Sequence, residues 1–322
     1  MDSNLHVVEL CGTGIVVAAG IACNVFNLAV TVAHQLKVGI FQTVGLIIFC
    51  ISLSNVLLEI SMFGMVVMLW LTTPCWTGEL LLLKVAIATW IQSSSMSFWS
   101  IAWLSVFYCV KVVRVSGTLL VKLKRNISSL INAALMLTPL CSFLMSAPLL
   151  LLQAPPFNGT AAQENKNSTC LIRRPVFPSW VEEDVYVLCL LCFLCPVPLM
   201  VMLPTSLRLV VHLCQHTQAM RRNETGFQSA DSYLLVCKLT VSLVAVYKTT
   251  LAIFSFFFID QMFTRYLQYN FISLSCSFYC IVTGILLTVS NRYLKEKLQV
   301  LFCWRNPPKA VPSTQSGDTG LV

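Results

Sequence analysis

Two charged side chains, Glu59 and Lys248, interrupt long apolar runs. A charge near the centre of a bilayer costs about 2.5–3.5 kcal/mol on insertion scales, so such residues are retained for a partner or a function. Counted from the starts of their runs at Thr43 and Leu234, they lie 16 and 14 residues in. At about 1.5 Å per helical residue the two depths match. Glu59 and Lys248 are therefore expected to meet across a helical bundle, as an ion pair, as the polar floor of a ligand cavity, or as both. No further carboxylate lines up with Glu59, which argues against a proton relay. A third polar feature is the run Gln92-Ser93-Ser94-Ser95, just after Trp90. With three or four residues between neighbours on a helix face, Trp90, Ser93, Ser94 and Ser97 share one side. Trp90, Ser93 and Ser94 are the candidate ligand contacts. Tight helix packing is an equally good reading of Ser95 and Ser97, and an interfacial anchor is the alternative for Trp90.

Catalytic spacings are missing: there is no Gly-rich phosphate loop, no G-x-S-x-G and no H-E-x-x-H. Cys189, Cys192 and Cys195 have C-x-x-C spacing, but Pro196 and Pro198 follow and no His is near. A structural zinc site draws its ligands from two separated elements, so no metal and no cofactor are expected.

The elements that must position these residues follow from composition. Of 322 residues, 57% are hydrophobic and 11% charged, with mean hydropathy +0.79. Ordinary soluble chains carry about 25% charged residues, so a soluble enzyme and a disordered protein are both excluded. Seven runs reach the ~20 helical residues that cross a hydrocarbon core. They are Val7 to Ala33, Thr43 to Leu71, Leu80 to Val110, Ile127 to Leu152, Val185 to Leu213, Leu234 to Ile259 and Leu267 to Ser290. The fold class is all-α, a seven-transmembrane helix bundle, over residues 1–304. Met1 to Gly14 lacks the basic n-region of a signal peptide, so the first run is expected to remain as a span.

Orientation follows from Lys and Arg. One set of gaps carries fourteen, including Lys111, Arg114, Arg221 and Arg222, and the other carries five. The richer side is read as cytoplasmic, with the N-terminus outside. The formal charge of +8 is spread over these short gaps, so it does not indicate nucleic acid. The long outer loop, Gln153 to Asp184, holds two sequons, at Asn158 and Asn167, which fit glycosylation. Most of the fifteen Cys lie in apolar runs and read as small hydrophobes. Cys75 and Cys170 alone fall clearly in outer loops, and a bridge between them is as plausible as two free thiols. After Ser290, Leu294, Leu298 and Leu301 recur on one helical face opposite Lys295, Glu296 and Lys297. This short eighth helix should lie on the inner membrane surface, with Cys303 a possible acylation site. Residues 305–322 are expected to form a disordered cytoplasmic tail.

The exit of the third span reads Leu104-Ser105-Val106-Phe107-Tyr108 with Lys111 to follow, and Trp99 precedes it. His216-x-x-x-Met220, Gly226, Lys238 and Tyr247 continue a spacing that ends at Asn291-x-x-Leu294-Lys295. Together these resemble the bitter taste receptors, the type 2 taste receptor family of seven-helix G-protein-coupled receptors. Asn24 matches the first-span Asn. Two departures mark a divergent member: Asn55 stands where the family has Arg, and the P-S-x-H-S stretch of the seventh span is missing near Cys280, Thr283 and Gly284. By spacing from Trp99, Trp90 resembles the family's pocket Trp. Counting back from Asn291, Ser273 falls at a pocket position of span seven.

The resemblance implies a chemosensory receptor in the plasma membrane, with a small-molecule agonist, membrane lipid and a gustducin-like heterotrimeric G protein as partners. Tyr108, Lys111, Arg114, His216, Arg221, Arg222 and Lys238 would then face the G protein, although positive-inside charge alone also accounts for the basic ones. The rival reading is a small transporter of organic solutes. Such a protein would carry an internal repeat, and seven spans do not divide evenly.

Overall fold

The computed structural model describes residues 2–39, 42–71, 80–113, 118–151, 177–179, 181–222, 227–263 and 269–303. The regular elements in them are all helical: α1 Asp2–Val38, α2 Thr43–Leu71, α3 Leu80–Val112, α4 Thr118–Leu150, α5 Glu183–Leu194, α6 Pro196–Arg222, α7 Phe227–Phe263, α8 Tyr269–Ser290 and α9 Arg292–Cys303. Among the described residues seven stretches are long and apolar enough to cross a membrane, and the fifth runs through α5 and α6. Helices overrun the apolar runs: α4 begins at Thr118 and takes in the exposed Lys122, Lys124 and Arg125. Hydropathy marks the hydrocarbon boundary, whereas backbone hydrogen bonding carries the helix on into the polar layer.

The outside of the bundle is greasy. Ile15, Leu36, Met136, Leu137, Leu144, Met200 and Leu207 are each more than half exposed. In a bilayer such a surface needs no covering. The inside is mixed: beside Ile47, Ile51, Leu58, Ile101 and Ile131, the buried set includes Asn24, Asn27, Asn55, Ser97 and Thr283. Without a hydrophobic force between helices in lipid, small residues and interhelical hydrogen bonds hold such a bundle together. α3 is central and packs on α2, α4, α5, α6 and α7, while α1, α2 and α8 form one side wall and α6, α7 and α8 the other.

The fifth span breaks at Cys195, for a reason readable in the chain. Pro196 and Pro198 have no N–H, so the carbonyls of Cys192 and Leu194 lose their i+4 donors. The Leu194 carbonyl is rescued from another helix: the Tyr247 hydroxyl in α7 reaches both Leu194 O, at 3.1 Å, and Cys195 O, at 2.7 Å. The tyrosine ring stands edge-on to Phe98 of α3, with centroids 4.9 Å apart. One side chain thus ties α7 to the break and to α3.

After Ser290 the chain turns at Asn291, whose Oδ1 accepts from the backbone N–H groups of Tyr293, at 3.0 Å, and Leu294, at 3.3 Å. Asn291 is the N-cap of α9. Leu294 is buried, Leu298 half-buried and Leu301 exposed, so the expected apolar stripe runs from the bundle outward, and Tyr293 packs on His34 of α1.

Candidate functional site

Trp90 lies ten residues from the end of α3 that is remote from α9. It is half-buried and meets Phe254 of α7 edge-on, with centroids 6.3 Å apart. On its other flank the indole N–H lies by the thiol of Cys276 in α8, without reaching hydrogen-bonding geometry. Trp90 therefore stands where α3, α7 and α8 converge. The polar run after it divides by helical phase. Gln92 turns to α4 and donates to Pro139 O at 3.0 Å. Ser94 donates back to Trp90 O at 2.8 Å. Ser93 and Ser95 are buried with unpartnered hydroxyls, and so is Ser273 one turn before Cys276. Buried polar groups are ordinarily satisfied, so this set of orphaned atoms is unusual. Trp90, Ser93, Ser94 and Ser97 do share the inward face that their spacing predicts.

One level deeper, toward α9, a connected set of hydrogen bonds crosses the bundle. The Ser97 hydroxyl donates to Asn55 Oδ1 at 2.7 Å and lies 2.8 Å from the Tyr279 hydroxyl, which then donates to it. Asn55 Nδ2 donates to Asn24 Oδ1 at 3.2 Å, and Asn24 Nδ2 donates to Cys280 O at 3.1 Å. Asn27 donates to Gly284 O at 2.8 Å and accepts from Thr288 at 2.7 Å. This layer joins α1, α2, α3 and α8. It depends on Gly284, where a Cβ would come 3.0 Å from Cys23 Sγ and 3.2 Å from Asn24 Oδ1. Asn55, at the position where the resembled family carries Arg, makes the layer uncharged. The network was missed from sequence, although a signal existed: Asn24, Asn27 and Thr31 recur at helical spacing within an apolar run.

The pairing of Glu59 with Lys248 is corrected by the structure. Glu59 is buried in the bundle at 1% exposure, whereas Lys248 is exposed on the outer face of α7. Rise along the axis sets depth, but 100° per residue sets azimuth, and the buried stripe of α7 is Leu239, Leu243, Tyr247, Thr250 and Phe254. Lys248 lies off that stripe. Both carboxyl oxygens of Glu59 lack a hydrogen-bond partner. Its side chain rests against α1 at Gly20, where a Cβ would collide with Oε1. The thiols of Cys23, Cys276 and Cys280 lie within electrostatic range of it.

At the α9 end, Cys109 of α3 and Val113 just beyond it pack with Leu209 and Leu213 of α6, partly covered by Tyr108. Tyr108 is half-buried, and the exposed Lys111 places its ammonium 5.2 Å from the centroid of the Phe107 ring. His216 is half-buried and stacks on His212, while Lys238 is exposed. Arg114, the side chains of Arg221, Arg222 and Cys303, the sequons at Asn158 and Asn167, the pair Cys75 and Cys170, and the tail all lie outside the described residues.

Comparison with known proteins gives concordant matches. The family model described as "Taste receptor protein (TAS2R)" matches residues 1–306. The chain is 28% identical over 249 residues to taste receptor type 2 member 40 of Gallus gallus, covering 76% of this chain and 74% of that one. It is 27% identical over 247 residues to member 39 of Gorilla gorilla gorilla, covering 76% and 71%. With member 4 of Pan troglodytes it shares 29% identity over 164 residues, about half of each chain. A bundle of seven apolar helices closed by a short capped ninth element, matched over nearly its whole length by one receptor family, leaves one assignment: the chain belongs to the type 2 taste receptor family.

Proposed function

We propose that this chemosensory receptor holds a small amphipathic agonist around Trp90 and transmits its binding to a heterotrimeric G protein at the α9 end of the bundle. The orphaned polar atoms about Trp90 carry this reading: Trp90 Nε1 and the hydroxyls of Ser93 and Ser273 are buried in the remote half of the bundle with nothing to bond. Ser94 supports the site from behind by holding the Trp90 carbonyl. The excess of Lys and Arg in the gaps at the α9 end supports placing that end in the cytoplasm and the N-terminus outside. That topology would leave Asn158 and Asn167 to glycosylation on the outer side and the end of α9, with Cys303, to acylation on the inner side.

Signalling requires an agonist to bind the active arrangement better than the resting one. The contact of Cys109 and Val113 with Leu209 and Leu213 closes the α3 exit on α6, which is the arrangement expected without a G protein. Loosening it opens a cleft beside Tyr108, Lys111, His216 and Lys238 for a gustducin-type α subunit, to which Arg114, Arg221 and Arg222 would add basic charge from the adjoining chain. The family is one of receptors and does not favour the transporter reading.

The test is agonist-evoked calcium release in cells given a promiscuous G protein. Trp90→Ala removes an aromatic anchor of the ligand site, typically worth about 2 kcal/mol or more, so agonist potency should fall at least about tenfold with surface expression unchanged. An unchanged dose response would remove Trp90 from the site.

A further inference from the structure

The departure of Lys248 from the bundle leaves a question of charge. Every Lys and Arg whose side chain is described is exposed except Lys84, which is half-buried. Lys84 lies four residues from the end of α3, whereas Glu59 lies twelve residues from the corresponding end of α2. Two more turns of helix separate their depths, and no ion pair joins them. Among the described residues the Glu59 carboxyl is thus buried with neither a cation nor a hydrogen-bond donor. The room it occupies is specific, because Gly20 on α1 leaves the space that any side chain would fill.

The surroundings of that carboxyl are arranged for a visitor. Cys276 of α8 lies within range of both Glu59 and the Trp90 indole. One turn before it on α8 is Ser273, with its hydroxyl unpartnered, and one turn beyond Trp90 on α3 is Ser93, likewise unpartnered. The carboxyl of Glu59 and the indole N–H of Trp90 thus lie near one thiol, with two unpartnered hydroxyls one helical turn away along α3 and α8. A hydrogen-bonded cation satisfies a carboxylate, and the face of Trp is the best of the aromatic faces for a cation. A neutral ligand could satisfy the hydroxyls but would leave the Glu59 carboxylate without a counter-ion.

We infer that the agonist class of this receptor is amines protonated at neutral pH, with Glu59 as the counter-ion of the ammonium group and Trp90 covering it. This rests on the receptor reading above and deepens it by naming the ligand chemistry. The ammonium passes Cys276 to reach Glu59, and the apolar part of the molecule stays against Trp90 and Phe254. Lys248 takes no part.

The probes are primary arylalkylamines, each paired with its N-acetyl derivative, which keeps the shape and loses the charge. They are applied to cells expressing the full chain, with calcium release as the readout and surface labelling of every variant. The amine of a pair should activate and its N-acetyl partner should be at least about tenfold weaker, the scale of one charge-assisted hydrogen bond. Glu59→Gln, close in size, should weaken the amines by a similar factor and leave uncharged agonists unmoved. Glu59→Asp keeps the charge on a shorter stem and should fall between. Equal potency within the pairs, or a Glu59→Gln effect common to charged and uncharged agonists, would overturn the amine assignment and leave the receptor reading standing. Silence of the surface-expressed wild-type chain toward the whole panel would overturn the amine assignment as well, and silence toward a broad uncharged set besides would overturn the receptor reading.

Discussion

Tyr247→Phe isolates one hydrogen-bonding group at the break in the fifth span. The ring, 1% exposed, keeps its edge-on contact with Phe98, so no cavity opens and only the hydroxyl is lost. What remains is the Leu194 carbonyl, which Pro198 has deprived of its helical donor and which now loses the hydroxyl at 3.1 Å as well. Cys195 O is less affected, because it still accepts from Leu199 N at 3.4 Å. Leaving one buried carbonyl unpaired costs about 1–3 kcal/mol. At a few degrees per kcal/mol, the unfolding midpoint of the purified receptor in nanodiscs should fall by about 2–6 °C. The reasoning has a sharper consequence. Pro198→Ala returns an N–H to the position that Leu194 O requires, so it should be milder in the Tyr247→Phe background than in the wild type. A double-mutant cycle followed by intrinsic tryptophan fluorescence measures that coupling. Strict additivity, or a Tyr247→Phe midpoint equal to wild type, would refute the account of the break.

Ser97→Ala should destabilise by about 2 kcal/mol or more, because it strands both Asn55 Oδ1 and the Tyr279 hydroxyl, and adding Tyr279→Phe should recover part of the loss by removing one stranded group, as read by the same melting assay. Asn291→Ala removes the cap of α9 at a cost of about 1 kcal/mol, so hydrogen exchange should quicken at the Tyr293 and Leu294 amides while the α8 core stays protected; equal protection in both proteins would show that packing of Leu294 alone holds the helix.

Length and composition by themselves determined the class of molecule. Lipid is a uniform solvent, and ~20 apolar residues are needed to cross it whatever the neighbours are, so seven spans and a surface helix could be counted along the chain. Spacing within one helix was equally legible: the common face of Trp90, Ser93, Ser94 and Ser97 needs only the helical period. Family likeness singled out Asn24, Asn55 and Tyr247 by position but gave none of them a task. What a residue meets on another helix was decided by the tertiary structure. Glu59 and Lys248 share a depth, yet the rotation of α7 about its axis places Tyr247 inward and Lys248 outward. That rotation is fixed by the packing of the whole buried stripe, from Leu239 to Phe254, and no single residue announces it. The same holds for Tyr247 and the Leu194 carbonyl: two prolines reveal in the sequence that a donor is missing, but only the approach of α7 decides which side chain supplies it.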